Sequence, residues 1–215
     1  MRVLSWNLFH GRAVPGAGRS LLAEFSAALA GWAWDVALLQ EVPPWWPEPL
    51  ARAAGASERH VLTSRNALPG LRRALAERWP DRIRSHGGGA NAILVRDAAI
   101  AAHRALVLTR RPERRIAHGV ELAGGVWVVN LHATAHAPER ARADVDRALA
   151  GWAGADRLVF GGDLNLRYPQ LPGLVHGGGY DVDHLFARGL HPAGAAEVLQ
   201  RGRLSDHSPL VASFA

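Results

Sequence analysis

The chain has 215 residues, 48% hydrophobic and 20% charged, so it can fill one core and is too apolar to stay disordered. It has no cysteine, which excludes disulfides, thiolate zinc sites, iron–sulfur clusters and a Cys nucleophile. The net charge is +6, every basic residue is Arg, and the surplus lies in residues 1–110, with 14 Arg against 8 acids; such a surplus favours a phosphate-bearing partner.

Short apolar runs alternate with Ala/Arg-rich helical stretches along the chain. Strands are expected over 3–8, 36–40, 92–95, 105–108, 117–122, 126–131, 158–160, 182–186 and 210–214. Helices are expected over 20–30, 70–79 and 139–152, the last announced by Pro138. The runs 117–122 and 126–131 flank Ala123-Gly124-Gly125, a hairpin signal. Gly87–Gly89 and Gly177–Gly179 are expected to be loops. Hairpins mixed with helical crossovers point to an α/β or α+β sandwich rather than a purely parallel sheet. There is no internal repeat and no linker that would divide the chain, so residues 1–215 are read as one domain. No apolar run approaches the roughly 18 residues of a membrane span. The first residues lack a signal-peptide pattern, which with Met1 as the start implies a cytoplasmic protein.

The expected strands end in polar, chelating residues. RVLSWN ends in Asn7, VALLQE in Glu41 and WVVNLH in His132; LVFGGDLN carries Asp163 and Asn165, and Ser205-Asp206-His207 precedes the last strand. A rim gathering carboxylates, amides and imidazoles suits a hard-cation phosphohydrolase. Mg²⁺ or Mn²⁺ takes one or two carboxylates and leaves room for water and phosphate oxygens. The remaining groups then orient water and hold charge on the phosphate.

The ordered series WN, LLQEV, GANAIL, VVNLHAT, FGGDLN, DVDHLF and SDHSP, running from Trp6 to Pro209, resembles the endonuclease/exonuclease/phosphatase superfamily. Any one of these segments is a weak signal, but the ordered set is specific. The resemblance implies a four-layer sandwich, two packed mixed β-sheets flanked by helices, and divalent-metal-dependent cleavage of a phosphoester. It implies that Glu41 is the principal metal ligand, with Asn7 beside it and Asp206 a further metal-side carboxylate. Asp163 would orient or deprotonate the attacking water, and Asn165 would donate to a phosphate oxygen. His207 would bond the scissile phosphate with Asp183 holding the ring, and His132 would be a second active-site histidine. Asn91 in GANAIL and Arg111 in the cluster Arg110–Arg115 are carried as substrate contacts. No second carboxylate to partner His132 is legible. Trp45-Trp46 stand in a Pro-bounded loop near Glu41, where they can stack on substrate or fill the core; Trp32, Trp34, Trp79, Trp127 and Trp152 are expected in the core. The other histidines singled out, among them His176 and His184, read as surface or packing groups.

The expected activity is therefore phosphoester hydrolysis with Mg²⁺ (or Mn²⁺), with nucleic acid the favoured substrate. A small-molecule or lipid-headgroup phosphoester is the alternative, and a non-catalytic binding module of the same fold a remote one. No protein partner is legible.

Overall fold

The computed structural model describes residues 1–63, 66–81 and 89–215. The expected loop at Gly87–Gly89, except Gly89, and Arg65, Arg82 and Arg84 of a basic stretch lie outside the described residues. In chain order the elements are β1 (Arg2–Asn7), a 3-10 turn (Phe9–Gly11), α1 (Leu22–Gly31), β2 (Val36–Val42), α2 (Pro47–Ala54), β3 (Ser57–Leu62), α3 (Pro69–Arg78) and β4 (Ala90–Val95). Then come β5 (Ile100–Thr109), β6 (Arg115–Leu122), β7 (Val126–His132), α4 (Pro138–Gly151), β8 (Arg157–Asp163), β9 (Val175–Tyr180), β10 (Asp183–Arg188), β11 (Glu197–Val198) and β12 (Leu210–Ser213). No described helix is long and apolar enough to cross a membrane.

Two six-stranded mixed sheets result, ordered β11-β12-β1-β2-β4-β3 and β5-β6-β7-β8-β10-β9. Strand alternation explains the layering, because successive side chains point to opposite faces. In the first sheet Val3, Val36, Leu38 and Ile93 face the second sheet, where they meet Val120, Val128, Val159 and Leu185. Their neighbours Leu4, Trp6, Leu39 and Leu94 face outward onto α1 and α2, against Phe25, Leu29 and Leu50. On the far side Val129, Leu131, Leu158 and Phe160 of the second sheet are covered by Ala141, Val145 and Ala148 of α4. Central strands buried on both faces read as nearly continuous apolar runs, as VLSWN, VALL and VWVVNL do, broken only by Ser5, Asn7 and Asn130. The layers are helix, sheet, sheet, helix, as the resemblance implied.

Several sequence expectations need correction. Gly177–Gly179 is not a loop but the middle of β9, paired to β10 at the sheet edge. Its glycines are there for close approach: a Cβ on Gly177 would strike the Phe214 ring. The segment after Trp46 is helical, with Pro47 at the first helical position, where its missing N–H costs nothing. β3 was missed because SERHVL is a largely exposed edge strand without a hydrophobic alternation. Trp79 is 41% exposed rather than core. Trp46 is buried, lying on Gly11 and beside Phe25, while Trp45 is half-buried.

Candidate active site

The inward-facing positions end at one rim. The faces that bury Val3, Val128, Val159, Leu185 and Ile93 continue by alternation to Asn7, His132, Asp163, Asp183 and Asn91. The site is thus the open end of the gap between the sheets, where the apolar filling gives way to polar groups.

Glu41 breaks the alternation. It follows Gln40, which faces inward, so a regular strand would aim it at the helices. The β2–β4 register shifts between Leu39 and Val42, and Glu41 has φ 49°. This bulge turns the carboxylate back to the rim, as bulges beside active sites do. Its Oε2 lies 3.1 Å from His10 Nε2 and its Oε1 3.9 Å from His132 Nε2.

Asp163 is the hub. Its Oδ2 accepts from Asn7 Nδ2 at 2.9 Å, and lies 3.4 Å from His132 Nε2 and 3.9 Å from His207 Nε2. Its Oδ1 accepts the Asn165 backbone N–H at 3.1 Å. His207 Nδ1 is 2.7 Å from Asp183 Oδ2, leaving Nε2 to face the rim. The loop that presents His207 is pinned to β1: Ser205 Oγ donates to Asn7 O at 2.7 Å and accepts from His207 N at 3.0 Å, and Trp6 Nε1 donates to His207 O at 3.0 Å.

Burial and neighbouring charge separate the protonation states. Burial raises Asp163 to about 7, the charge of Asp183 adding to it and His207 opposing it. Burial works against the His207 imidazolium, but the hydrogen bond and charge of Asp183, with Asp163 and Asp206, outweigh it and push the ring up to about 9. His132 is driven well below the usual imidazole range by burial, with Arg115 and His207 adding to the fall. The rim therefore holds a proton-poor imidazole, a carboxylate poised near neutrality and a cationic imidazole side by side.

Asn7, Glu41, His132, Asp163, Asn165, Asp183 and His207 are brought together. Asp206 sits at the edge, half-exposed, with Oδ1 4.0 Å from His207 Nε2. Asn165 turns its side-chain amide to Ala133 O at 3.1 Å. Asn91 faces the gap but donates to Ile116 O at 3.2 Å, and its buried Oδ1 has no partner. Arg111 stands apart, exposed, on a concavity shared with β5 and α4. His10 was missed in the sequence: a lone histidine in a turn carries no periodic signal, and only the fold sets it on Glu41. Ser205 was visible only as part of SDHSP. His132 has no carboxylate of its own and shares Asp163 and Glu41.

Beside its imidazoles the rim carries carboxylate and amide oxygens, which are the donors of a hard divalent cation. Among the described residues no three His, Asp or Glu side chains form a closed metal cage. Mg²⁺ needs none, since it is commonly held by one or two carboxylates and otherwise by water and phosphate. The Glu41 carboxylate, open to solvent on one side, is the kind of donor that fits such an ion.

Two packed mixed sheets flanked by helices, with polar groups gathered at one rim, define the class of fold. The sequence matches the Endonuclease/Exonuclease/phosphatase family over residues 4–207, and the chain belongs to that family. No curated protein matches it in sequence. Solved structures similar to it include an endonuclease/exonuclease/phosphatase from Beutenbergia cavernae (TM-score 0.77, 19% identity, covering 100% of this chain and 71% of that one). TDP2 from Caenorhabditis elegans is similar at TM-score 0.71 and 19% identity, over 99% and 74% of the two chains. A mannosyl-6-phosphatase from Bacteroides thetaiotaomicron is similar at TM-score 0.70 and 13% identity, over 100% and 99%. At these identities the likeness establishes the shared fold.

Proposed function

We propose that residues 1–215 form a single-domain, divalent-metal-dependent phosphoester hydrolase, with a nucleic-acid phosphodiester as the favoured substrate and Mg²⁺ or Mn²⁺ as the cation. One observation carries the reading: Asp163 lies against Asn7, His132 and His207 at the rim, and Glu41 lies 3.9 Å from the same His132. Glu41 would hold the cation, with Asn7 and Asp206 as further candidate ligands, and the cation would neutralise charge on the phosphate.

The protein's own groups do the rest. The Asp163 carboxylate orients a water for in-line attack and takes its proton as the new P–O bond forms and the P–O bond to the leaving alcohol opposite breaks, a task suited to a group that titrates near 7; the leaving oxygen takes up a proton from solvent. Asn7 keeps that carboxylate in place. His207, held cationic by Asp183, donates through Nε2 to a phosphate oxygen as charge builds there, and Asn165 offers its amide alongside. His132, kept neutral, donates or accepts a hydrogen bond without adding charge. Asn91 and Arg111 are proposed as outlying substrate contacts.

The test is hydrolysis of bis-p-nitrophenyl phosphate by EDTA-stripped protein before and after Mg²⁺ or Mn²⁺ is restored. A panel of plasmid, single strand, abasic duplex, RNA, sphingomyelin and inositol phosphates follows. Turnover should appear only with the cation; full activity in stripped protein would sink the reading. A small phosphoester is the second reading, favoured by the mannosyl-6-phosphatase fold, which this chain spans almost end to end. A binding module without catalysis fits poorly, because none of the central chemical groups has been lost.

A further inference from the structure

On the outer side of the second sheet, next to the rim, β5 and α4 enclose a concavity of about 500 Å³ lined by Val107, Leu108, Thr109, Arg110, Arg111, Arg140, Ala143 and Arg147. Four of those eight are exposed arginines and no carboxylate is among them. Arg140, Ala143 and Arg147 follow i, i+3, i+7 spacing, which puts them on one stripe of α4. One acid reaches the group: the Asp144 Oδ1 lies 4.0 Å from Arg147 Nη1. Asp144 is fully buried, its Oδ1 accepting from Thr109 Oγ1 at 2.7 Å and its Oδ2 from Thr134 Oγ1 at 2.6 Å and Thr134 N at 3.0 Å. Arg147 donates to Leu108 O at 2.9 Å. Arg110, Arg111 and Arg140 have no hydrogen-bond or ion-pair partner among the described residues.

Four guanidinium groups gathered in one concavity make it locally positive and attractive to an anion. Arg140 lies in the first turn of α4, where the helix dipole disfavours a cation and favours an anion. The concavity is also tied to the catalytic rim: Thr134, held by Asp144, follows His132 by two residues, and Ala133 O receives the Asn165 amide.

We infer that this arginine concavity binds backbone phosphates of a nucleic-acid strand whose scissile phosphate lies at Asp163 and His207. The inference deepens the proposed hydrolase reading by giving the strand a path, along β5 and α4 on the outer face. Guanidinium groups suit phosphate oxygens because they offer paired donors in a plane.

The experiment measures binding of a fluorescent 20-nucleotide single strand without divalent cation, across a salt series, so that no cleavage intervenes. Arg110→Ala/Arg140→Ala is compared with wild type and with Arg52→Ala/Arg157→Ala, which removes the same charge from other faces. Each phosphate contact contributes about 0.7 to the salt slope for a single strand, so the concavity variant should lose about 1.4 in slope and roughly tenfold in affinity. The control pair should lose far less, and Arg140→Glu should deepen the effect. Retention of the wild-type melting temperature shows that the exposed substitutions leave the fold intact. Equal losses in the two double variants would overturn the inference, since net charge alone would then explain binding. Tighter binding of inositol hexakisphosphate than of the strand would overturn it in favour of a compact polyanion. A reduced slope in a protein that hydrolyses nothing would uphold the strand path while refuting the proposed catalysis.

Discussion

At the scale of the residue, the Asp183–His207 pair is the most testable feature. The two are 24 positions apart yet 2.7 Å apart across the rim. Removing the imidazole deletes a charge-assisted bond to the phosphate in the transition state, so His207→Ala should cost about 10²–10⁴ in kcat. Asp183→Asn keeps the shape but not the charge, so it should cost less. The pH dependence follows from the two shifts. Asp163 must be ionised, so kcat/KM should rise through about 7; His207 must be protonated, so it should fall above about 9. Because the Asp183 charge holds the His207 proton and also helps to raise Asp163, Asp183→Asn should move the basic limb to lower pH and draw the acidic limb down with it. A basic limb that stays put in that variant would refute the pairing's role. Glu41→Gln makes a separate point: it should raise the Mg²⁺ concentration needed for half-maximal turnover and lower the maximum. Calorimetric titration of Mn²⁺ reads the same loss directly. His10→Ala, which frees the Glu41 carboxylate of a neighbour, should leave more turnover than Glu41→Gln does.

At the scale of the element, the site depends on two places where a regular strand would fail. One is the β2 bulge that aims Glu41; the other is Gly161-Gly162 in β8, just before Asp163. Gly162 has φ +127°, and a Cβ there would collide with Leu131 O of the neighbouring β7. Gly162→Ala should therefore force β8 from β7 and displace Asp163. The expected cost is about 1–3 kcal/mol in thermal or urea unfolding, with a fall in kcat larger than the change in KM. An alanine variant with wild-type stability and kcat would show that the strand adapts. The same elements show what the sequence could and could not reveal. The buried strands were legible because both faces are covered and their apolar runs are nearly continuous. Chelating residues at their ends followed directly, from Asn7 to Asp163. The bulge was not legible: Glu41 stood out through LLQEV, but strict alternation would have turned it to the wrong side. β9 hid behind VHGGGY, since glycines that serve close approach look the same as glycines that make turns. α2 hid behind a Trp/Pro cluster, and His10 acquires meaning only from the tertiary contact with Glu41.

At the scale of the whole molecule, the rim is shared between two sheets, so its geometry is only as fixed as their docking. Asn7 and Glu41 belong to the first sheet, and His132, Asp163 and Asp183 to the second. Between them runs a buried polar bridge just behind the rim. Asn130 of β7 donates to Leu39 O and Ala92 O, both at 2.9 Å, and accepts from Gln40 Nε2 at 2.8 Å. Leu39 and Ala92 are the last regular pair before the β2–β4 register shift. Asn130 thus satisfies carbonyls at the bulge that turns Glu41 inward, and links that bulge to the strand that carries His132. Asn130→Leu should take this donor from the two buried carbonyls, at about 2 kcal/mol or more, since each unsatisfied buried group costs roughly 1–3 kcal/mol, while the Gln40 amide keeps Leu38 O and Ser5 Oγ. It should also weaken Mn²⁺ binding, because the bulge is no longer clamped. Leu131→Ala provides the contrast: the neighbouring side chain faces α4, and its loss should cost a similar 2–5 kcal/mol, roughly, through a cavity on the other face. Urea unfolding and Mn²⁺ titration on the two variants separate the effects. Both should lose stability, but only Asn130→Leu should lose cation affinity. Equal affinities in the two would mean that the sheets hold the rim without this bridge.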